Sequence, residues 1–574
     1  MLRTVWALAI ATLVFACGSS HLGDDDIDTT GAKLLLDPPS VELTILNGAA
    51  VKQGYTATLE TATGATYDVT DDVVFYIDSA FGTFAGPVVQ VSTAGKTRVT
   101  GTFRDVFGEA QLLARVKSVR VDPALPANTP ELFDNPEDVA RAPNVVYPPD
   151  GVVMPRNLGD FETHWTDPTN DIFEVSLKTT YADVRVYVPG NNGNPAAGPR
   201  PSFTEFQASE WISAVGVEPS VAYQVRGVQA ANPTVVGAGT PRMVTLSNET
   251  MEGGLYYWAA ASTNNVYGIY RHDMSKPGQP AEEYMTTNQT SGRCVACHVL
   301  SKDGSKMAIT YDGGNGQGAM VDIATQVAAP AVTTWNFGTF SPDGSRLVTV
   351  FNGVITVRNA ADQAPIINVP ASAYASHPDL SPDGARLVYI LASNGGSDWS
   401  FTGGRVVVRS YDPITNAFGP ETPLVADGTN NFYPSWSPDG EWILFNKAGA
   451  GTSSYNNGNA SLWVVKADGS QPAIQLSVAN IGLGLTNSWG RWAPFEQSIG
   501  LGAEKLYWIT VSSKRDFGVR LVGAQRPQIW MTPFFPGRAG QGMDPSVPAF
   551  RLPFQGIESN NHIAQWTERV VPIK

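Results

Sequence analysis

A four-residue signature, S-x-D-G, recurs in the second half of this chain and constrains its fold more than any other feature. The copies are Ser301-Lys302-Asp303-Gly304, Ser341-Pro342-Asp343-Gly344, Ser381-Pro382-Asp383-Gly384 and Ser437-Pro438-Asp439-Gly440, spaced by 40, 40 and 56 residues. An alternating apolar run follows each one: Met307-Ala308-Ile309, Leu347-Val348-Thr349-Val350, Leu387-Val388-Tyr389-Ile390 and Trp442-Ile443-Leu444-Phe445. The chemistry is that of a tight hairpin. Proline presets φ at the first central position, aspartate bonds nearby backbone N–H groups, and glycine accepts a positive φ where the strand resumes. A unit of about forty residues holding several strands is one propeller blade.

Composition agrees with short strands and many turns. Charged residues are 16% of the chain, while 56 Gly and 41 Pro supply turn formers. The 43% of hydrophobic residues are enough to bury real cores. Net charge is −15 with no dense Lys/Arg cluster, which excludes nucleic acid as a partner.

The repeats resemble the TolB-type, WD40-like propeller family over residues 249–574. A degenerate fifth unit starts near Trp489, with Arg491-Trp492-Ala493-Pro494-Phe495 and Leu506-Tyr507-Trp508-Ile509. An early strand pair, Leu255-Tyr256-Tyr257-Trp258 and Tyr267-Gly268-Ile269-Tyr270, adds another. Six blades result, with the C-terminal strand expected to close the ring and remove its sheet edges. Two features depart from propeller families of this kind. TolB carries an α/β domain before its propeller, whereas β-sandwich patterns stand there in this chain. Prolyl-oligopeptidase relatives need a hydrolase domain, and no G-x-S-x-G nucleophile elbow is present, which argues against peptidase activity.

Upstream, residues 34–121 alternate at period two (Tyr55, Ala57, Leu59; Val73, Phe75, Ile77; Val89, Val91) between Gly-rich breaks. They resemble a bacterial Ig-like sandwich. Residues 122–144, rich in Pro, Asn and Asp, read as a semi-rigid linker. Residues 145–248 alternate again, and Trp165 with Tyr223 resembles the core pair of a fibronectin type III domain. His164 reads as a satisfied structural neighbour. The fold class is therefore all-β: two β-sandwich domains followed by a six-bladed β-propeller.

The chain holds three cysteines. Arg3 and the apolar residues 5–15 precede Val14-Phe15-Ala16-Cys17, which resembles a bacterial lipobox. The resemblance implies a signal peptide at 1–16, a lipid on Cys17, a solvated tether over 17–33 and a place in the cell envelope. The other two form Cys294-Val295-Ala296-Cys297-His298, a C-x-x-C-H motif of the kind that attaches c-type haem. It implies one covalent haem on Cys294 and Cys297, with His298 as axial ligand of the iron and a redox partner. His562 is the distal candidate, because the closing strand folds back toward the early blades. His377 precedes Ser381 by four residues and His298 precedes Ser301 by three, so strand alternation separates them unless a bulge intervenes. Met285 and Met307 read as core or loop residues. A Cys294–Cys297 disulfide, or a zinc or redox use, stays open beside haem.

Three functions follow: haem-based electron transfer or redox sensing, non-enzymatic binding of a protein, peptide or glycan at the propeller face, or a hydrolase or lyase supported only by scattered carboxylates. In the binding reading the long loops 393–404 and 448–460, with Trp399, Phe401 and Tyr455, form part of the face.

Overall fold

A computed structural model describes residues 27–261, 266–482, 484–523 and 526–574. The signal peptide, Cys17 and residues 17–26 of the tether lie outside the described residues. The fold is all-β, with the described chain organised into two compact units.

The first unit comprises the described part of Met1–Val41 with Lys52–Gln90 and Lys96–Leu112. Its strands Lys33–Asp37, Thr56–Glu60 and Thr66–Asp68 form one antiparallel sheet, and Val74–Ile77 pairs with Gly95–Phe103. Period-two alternation puts Leu34, Leu36, Ala57, Leu59, Phe75, Ile77 and Val99 inside.

The second unit joins the second sandwich and the propeller in one body. In the sandwich, Ile172–Lys178 lies between Ala182–Pro189 and Ser220–Val228, antiparallel to both. Trp165 is fully buried, 5.1 Å from the ring of Phe173. Tyr223, also buried, donates its hydroxyl to the Pro148 carbonyl at 2.8 Å. One feature was not anticipated: a helix, Ala208–Val215, opened by the Glu210 carboxylate accepting from the Gln207 N–H at 2.8 Å. Its Trp211 stacks on Phe161 at 4.6 Å.

Residues 122–144 are not a free linker. Phe133 is buried with Ile172, Tyr187, Val228 and Val236, and Arg226 donates to its carbonyl. Glu137 and Asp138 pair in parallel with Val236 and Gly237. Proline fixes φ without preventing burial, and the apolar Leu125, Leu132 and Phe133 outweigh the polar composition that suggested a spacer.

Six sheets make the propeller. Blade 1 takes Gly254–Ala261, Tyr267–Asp273 and Glu282–Thr286, with Ser559–Thr567 as its inner strand. Blade 2 is Val295–Leu300, Lys306–Tyr311, Gln317–Asp322 and Val327–Ala328, with Thr333–Thr334. Blade 3 is Phe337–Phe340, Arg346–Phe351, Val354–Asn359 and Pro365–Asn368. Blade 4 is Tyr374–Leu380, Arg386–Gly395 and Phe401–Asp412 with short outer strands. Blade 5 is Asn430–Trp436, Trp442–Ala448, Ser461–Lys466 and Ile474–Gln475. Blade 6 is Ser488–Ile499, Glu504–Ser513, Gln528–Phe534 and Phe550–Arg551. The inner strands touch in sequence around the ring, and the last touches both blade 6 and blade 2. The C-terminal strand thus closes the circle, pairing Leu255 with Trp566 and Trp258 with His562.

The S-x-D-G turns behave as their chemistry requires. In each, the serine hydroxyl donates to the aspartate and accepts the N–H of the residue five on, as in Lys306 N to Ser301 Oγ at 2.9 Å. The four glycines have φ of +71°, +66°, +72° and +70°. Hydrogen bonds from Ser341 and Ser345 hold the Asp343 carboxyl down to about 2.

The second sandwich docks on blade 6 through a buried polar cluster. Glu162 accepts from His164 and from Arg520, both at 2.9 Å, and Tyr147 meets Phe517 edge-on at 4.8 Å. Burial works against the Glu162 charge, but the His164 hydrogen bond and the Arg520 charge prevail and lower its carboxyl to about 2. His164 is therefore a structural residue of this interface.

Candidate functional site in the propeller channel

The inner strands run toward the S-x-D-G turns, so counting back from each turn serine gives equivalent channel positions. Four residues before the serine stand Cys297, Phe337, His377 and Tyr433. In the two degenerate strands, counted from Ala493 and Thr567, the same place is held by Trp489 and Ile563.

Four consecutive inner strands adopt a left-handed backbone at this position: His377 at +49°, Tyr433 at +51°, Trp489 at +49° and Ile563 at +60°. None is glycine, so each costs on the order of 1–2 kcal/mol. The pairing registers slip at the same level, between Ser376 and Asp379, Phe432 and Ser435, and Ser488 and Arg491. These bulges turn large side chains toward the axis.

The result is an aromatic plug. Phe337 meets His377 edge-on at 4.2 Å, His377 lies 4.3 Å from Tyr433, and Tyr433 stacks on Trp489 at 4.7 Å. Phe337 and Trp489 come from opposite blades yet have centroids only 6.5 Å apart, so the rings pack across the axis. His377 Nδ1 accepts the Tyr433 N–H at 3.2 Å, and its Nε2 is buried with no partner. Tyr433 is 2% exposed and His377 4%. The plug closes the channel at this level.

Two residues nearer the turns the character changes. The equivalent positions hold Val299, Thr339, Asp379, Ser435, Arg491 and Gln565. Thr339, Asp379, Arg491 and Gln565 are partly exposed. Asp379 Oδ1 accepts from Thr339 Oγ1 and Oδ2 from the Trp436 N–H, each at 2.9 Å, and burial raises its carboxyl above the ordinary value. Arg491 donates one hydrogen bond, to the Gly490 carbonyl at 3.0 Å, and makes no ion pair among the described residues. Its charge bears on His298 of blade 2, His377 and Asp379 of blade 4 and Tyr433 of blade 5. Burial lowers the Arg491 pKa, with Asp379 and Tyr433 opposing the shift.

The C-x-x-C-H motif occupies the inner strand of blade 2 and the residue before it. Cys294 and Cys297 are free thiols, so the disulfide expectation is not met. The reason is packing: Cys297 lies against Val299, Trp335 and Phe340 between blades 2 and 3, while the Cys294 carbonyl is tied to the Asp312 N–H at the start of the strand. Burial pushes the Cys297 thiol up to about 11 and also raises Cys294.

His298 is 1% exposed and faces the other way. It lies beside the carbonyls of Tyr256 and Ala296 and close to His562, yet neither of its ring nitrogens makes a hydrogen bond. The structure thus brings His562 to His298, as the closing strand suggested, and His562 packs on Trp258 at 4.9 Å and Trp489 at 5.7 Å. Burial lowers both histidines to about 4, leaving them neutral at neutral pH. A covalent haem needs both sulfurs and the imidazole directed to one side of the chain. With Cys297 packed toward blade 3 and His298 toward blade 1, these residues do not fit it in this arrangement.

The loops flagged as a binding face are mostly structural. Asp398 is 1% exposed and accepts from Asn336 at 2.7 Å, the Asn352 and Gly353 N–H groups at 2.9 and 2.8 Å, and the Tyr374 hydroxyl at 2.9 Å. Trp399 packs over Gly314 of blade 2, where a Cβ would come within 2.8 Å of its ring. Phe401 is buried, and its N–H and carbonyl bond Ser454 and Asn430. Tyr455 alone of the three aromatics is exposed, at 54%. Met285 and Met307 are core.

No family model matches the sequence, and no curated protein matches it. Solved structures do. TolB from Acinetobacter baumannii is 12% identical, covering 64% of this chain and 86% of that one, with a TM-score of 0.38. Hydrazine synthase from Kuenenia stuttgartiensis is 16% identical, covering 45% of this chain and 65% of that one, at 0.30. The propeller domain of Swd1 from Myceliophteria thermophila is 13% identical, covering 51% and 92%, at 0.29. The chain thus spans slightly less than two thirds of the hydrazine synthase chain. These overlaps are loose, and the six closed sheets themselves establish the propeller.

Proposed function

We propose that this chain is an exported, lipid-anchored binding protein of the bacterial envelope, whose propeller channel receives part of a protein, peptide or glycan. One observation carries the reading: a rigid aromatic plug, held by strained backbone on four consecutive inner strands, forms a floor beneath the partly exposed ring of Thr339, Asp379, Arg491 and Gln565. Strain of this kind persists where the surrounding structure overdetermines it, and such positions cluster at ligand sites. Cys17 and residues 5–15 supply the address, with acyl chains contributing about 0.8 kcal/mol per buried CH₂.

Two measurements test it. Full-length protein expressed in a Gram-negative host should fractionate with membranes and carry a lipid mass on Cys17, and Cys17→Ser should release it. Soluble Cys17→Ser protein, titrated with peptide and oligosaccharide pools by tryptophan fluorescence, should show saturable binding that Thr339→Trp, which fills the channel, abolishes. Binding that survives Thr339→Trp would place the ligand elsewhere.

A further inference from the structure

We propose that the channel is a blind socket for the carboxy terminus of a peptide, with Arg491 as the group that holds the terminal carboxylate. The inference rests on the binding reading above and names the ligand class for the same site.

Three observations carry it. First, the channel has one closed end. Rings from blades 3, 4, 5 and 6 meet across the axis, with Tyr433 and His377 almost wholly buried. An internal chain segment would need a second exit; a chain end needs none. Second, Arg491 stands just on the turn side of that closure with unused capacity. A guanidinium has five N–H donors in a planar fork, and one hydrogen bond is made here, to the Gly490 carbonyl. The side chain is partly exposed. Third, the acidic neighbour does not compete. Asp379 has one protein donor on each carboxylate oxygen and lies beyond ion-pair distance of Arg491. It therefore moderates the positive charge without consuming its donors. Between the two ends of a peptide, the carboxylate is the one that matches a guanidinium fork with unused donors.

The rest of the ring suits this occupant. Thr339 and Gln565 are partly exposed polar side chains at the same level, placed to meet the last peptide amide. The histidines that approach the axis, His298, His377 and His562, are all held neutral by burial, His298 and His562 at about 4 and His377 well below its ordinary value. Arg491 is thus the one positive charge at this level near neutral pH. The protein as a whole carries −15, so long-range attraction does not draw anions in; selectivity has to come from the local fork.

The experiment uses the soluble Cys17→Ser chain and hexapeptide pools with the last four positions randomised, prepared with a free carboxylate, with a carboxamide, and with a free carboxylate plus an acetylated amino terminus. Binding is read by calorimetry. The free acid should bind about tenfold tighter than the amide, as expected for a charge-assisted pair, and acetylation should change nothing. Arg491→Gln should erase the difference between acid and amide, and Arg491→Lys should keep part of it. The acid–amide comparison on unaltered Arg491 stands even if the variants do not fold. Equal affinity for acid and amide overturns the inference while leaving a binding platform; so does tighter binding of galacturonate oligomers than of any peptide. Preference for a free amino terminus overturns it too. No saturable binding by any pool overturns both this inference and the binding reading.

Discussion

The inner strands of blades 2 and 4 teach most when set side by side. Both carry a histidine near the axis, and both end in an S-x-D-G turn. By motif, His298 of blade 2 stands out because two cysteines precede it. By position, the residue equivalent to His377 is Cys297, since each stands four before its turn serine. His377 joins the plug and accepts the Tyr433 N–H; Cys297 takes that place in blade 2 as a partly buried thiol, and His298 is turned toward blade 1. Register, not motif, determines which side chain reaches the channel.

Breaking the plug should have the largest effect. Tyr433→Ala removes a 2% exposed ring that packs on His377 and Trp489, and should cost about 3–5 kcal/mol, read as a loss of denaturation midpoint. An unchanged midpoint would mean the rings do not support one another.

Acid should come next. A neutral, buried His298 lowered to about 4 contributes stability that is complete above its unfolded value near 6.5 and is lost as pH falls through about 4; the shift corresponds to about 3 kcal/mol. Urea midpoints should therefore fall between pH 6.5 and 4, and His298→Gln should flatten that fall. His377→Gln should flatten it too, because burial lowers its pKa as well. Glu162 acts in a lower window: its carboxyl, lowered to about 2, contributes above roughly 4.5 and loses that contribution as pH falls through about 2. Glu162→Gln should flatten the fall below pH 4.

The turns sharpen the blade comparison at smaller scale. Gly304→Ala and Gly384→Ala each place a side chain at positive φ, costing about 1–2 kcal/mol. Blade 2 should suffer more, since the added Cβ meets the Arg569 carbonyl at 2.7 Å, against 3.3 Å from Pro342 Cδ in blade 4. Equal losses would show that the turn, not its neighbours, sets the cost.

The smallest effect belongs to the motif itself. Cys294→Ser with Cys297→Ser should change stability by about 1 kcal/mol or less, the value of one small buried group. Protein made beside haem-maturation machinery should show no Soret band and no mass adduct on either cysteine; a haem-sized adduct would overturn the reading of this strand.

Much of the fold was legible because its signals are local. A serine, an aspartate and a glycine within six residues contain every hydrogen bond of their turn, so the repeat announced the blades, and the leftover C-terminal strand announced the closure. Tyr55, Ala57 and Leu59, or Trp165 and Tyr223, went inside as alternation required. The linker reading of 122–144 failed because composition does not show what Phe133 will meet more than thirty residues away. Arg491 stands in a degenerate repeat, where Ala493 replaces the turn serine and hides the register. Counting back from every turn serine would have aligned Cys297, Phe337, His377 and Tyr433, the signal that could have exposed the channel.

What the sequence determined by itself was therefore the number of blades, their turns and the strand that joins the ends. The tertiary structure alone decided which residues share the axis. Each bulge that points His377, Tyr433 or Trp489 inward is favoured only because rings from other blades, forty or more residues distant, are already there to receive it. A local turn carries its own energy; a ring exists only when it is closed.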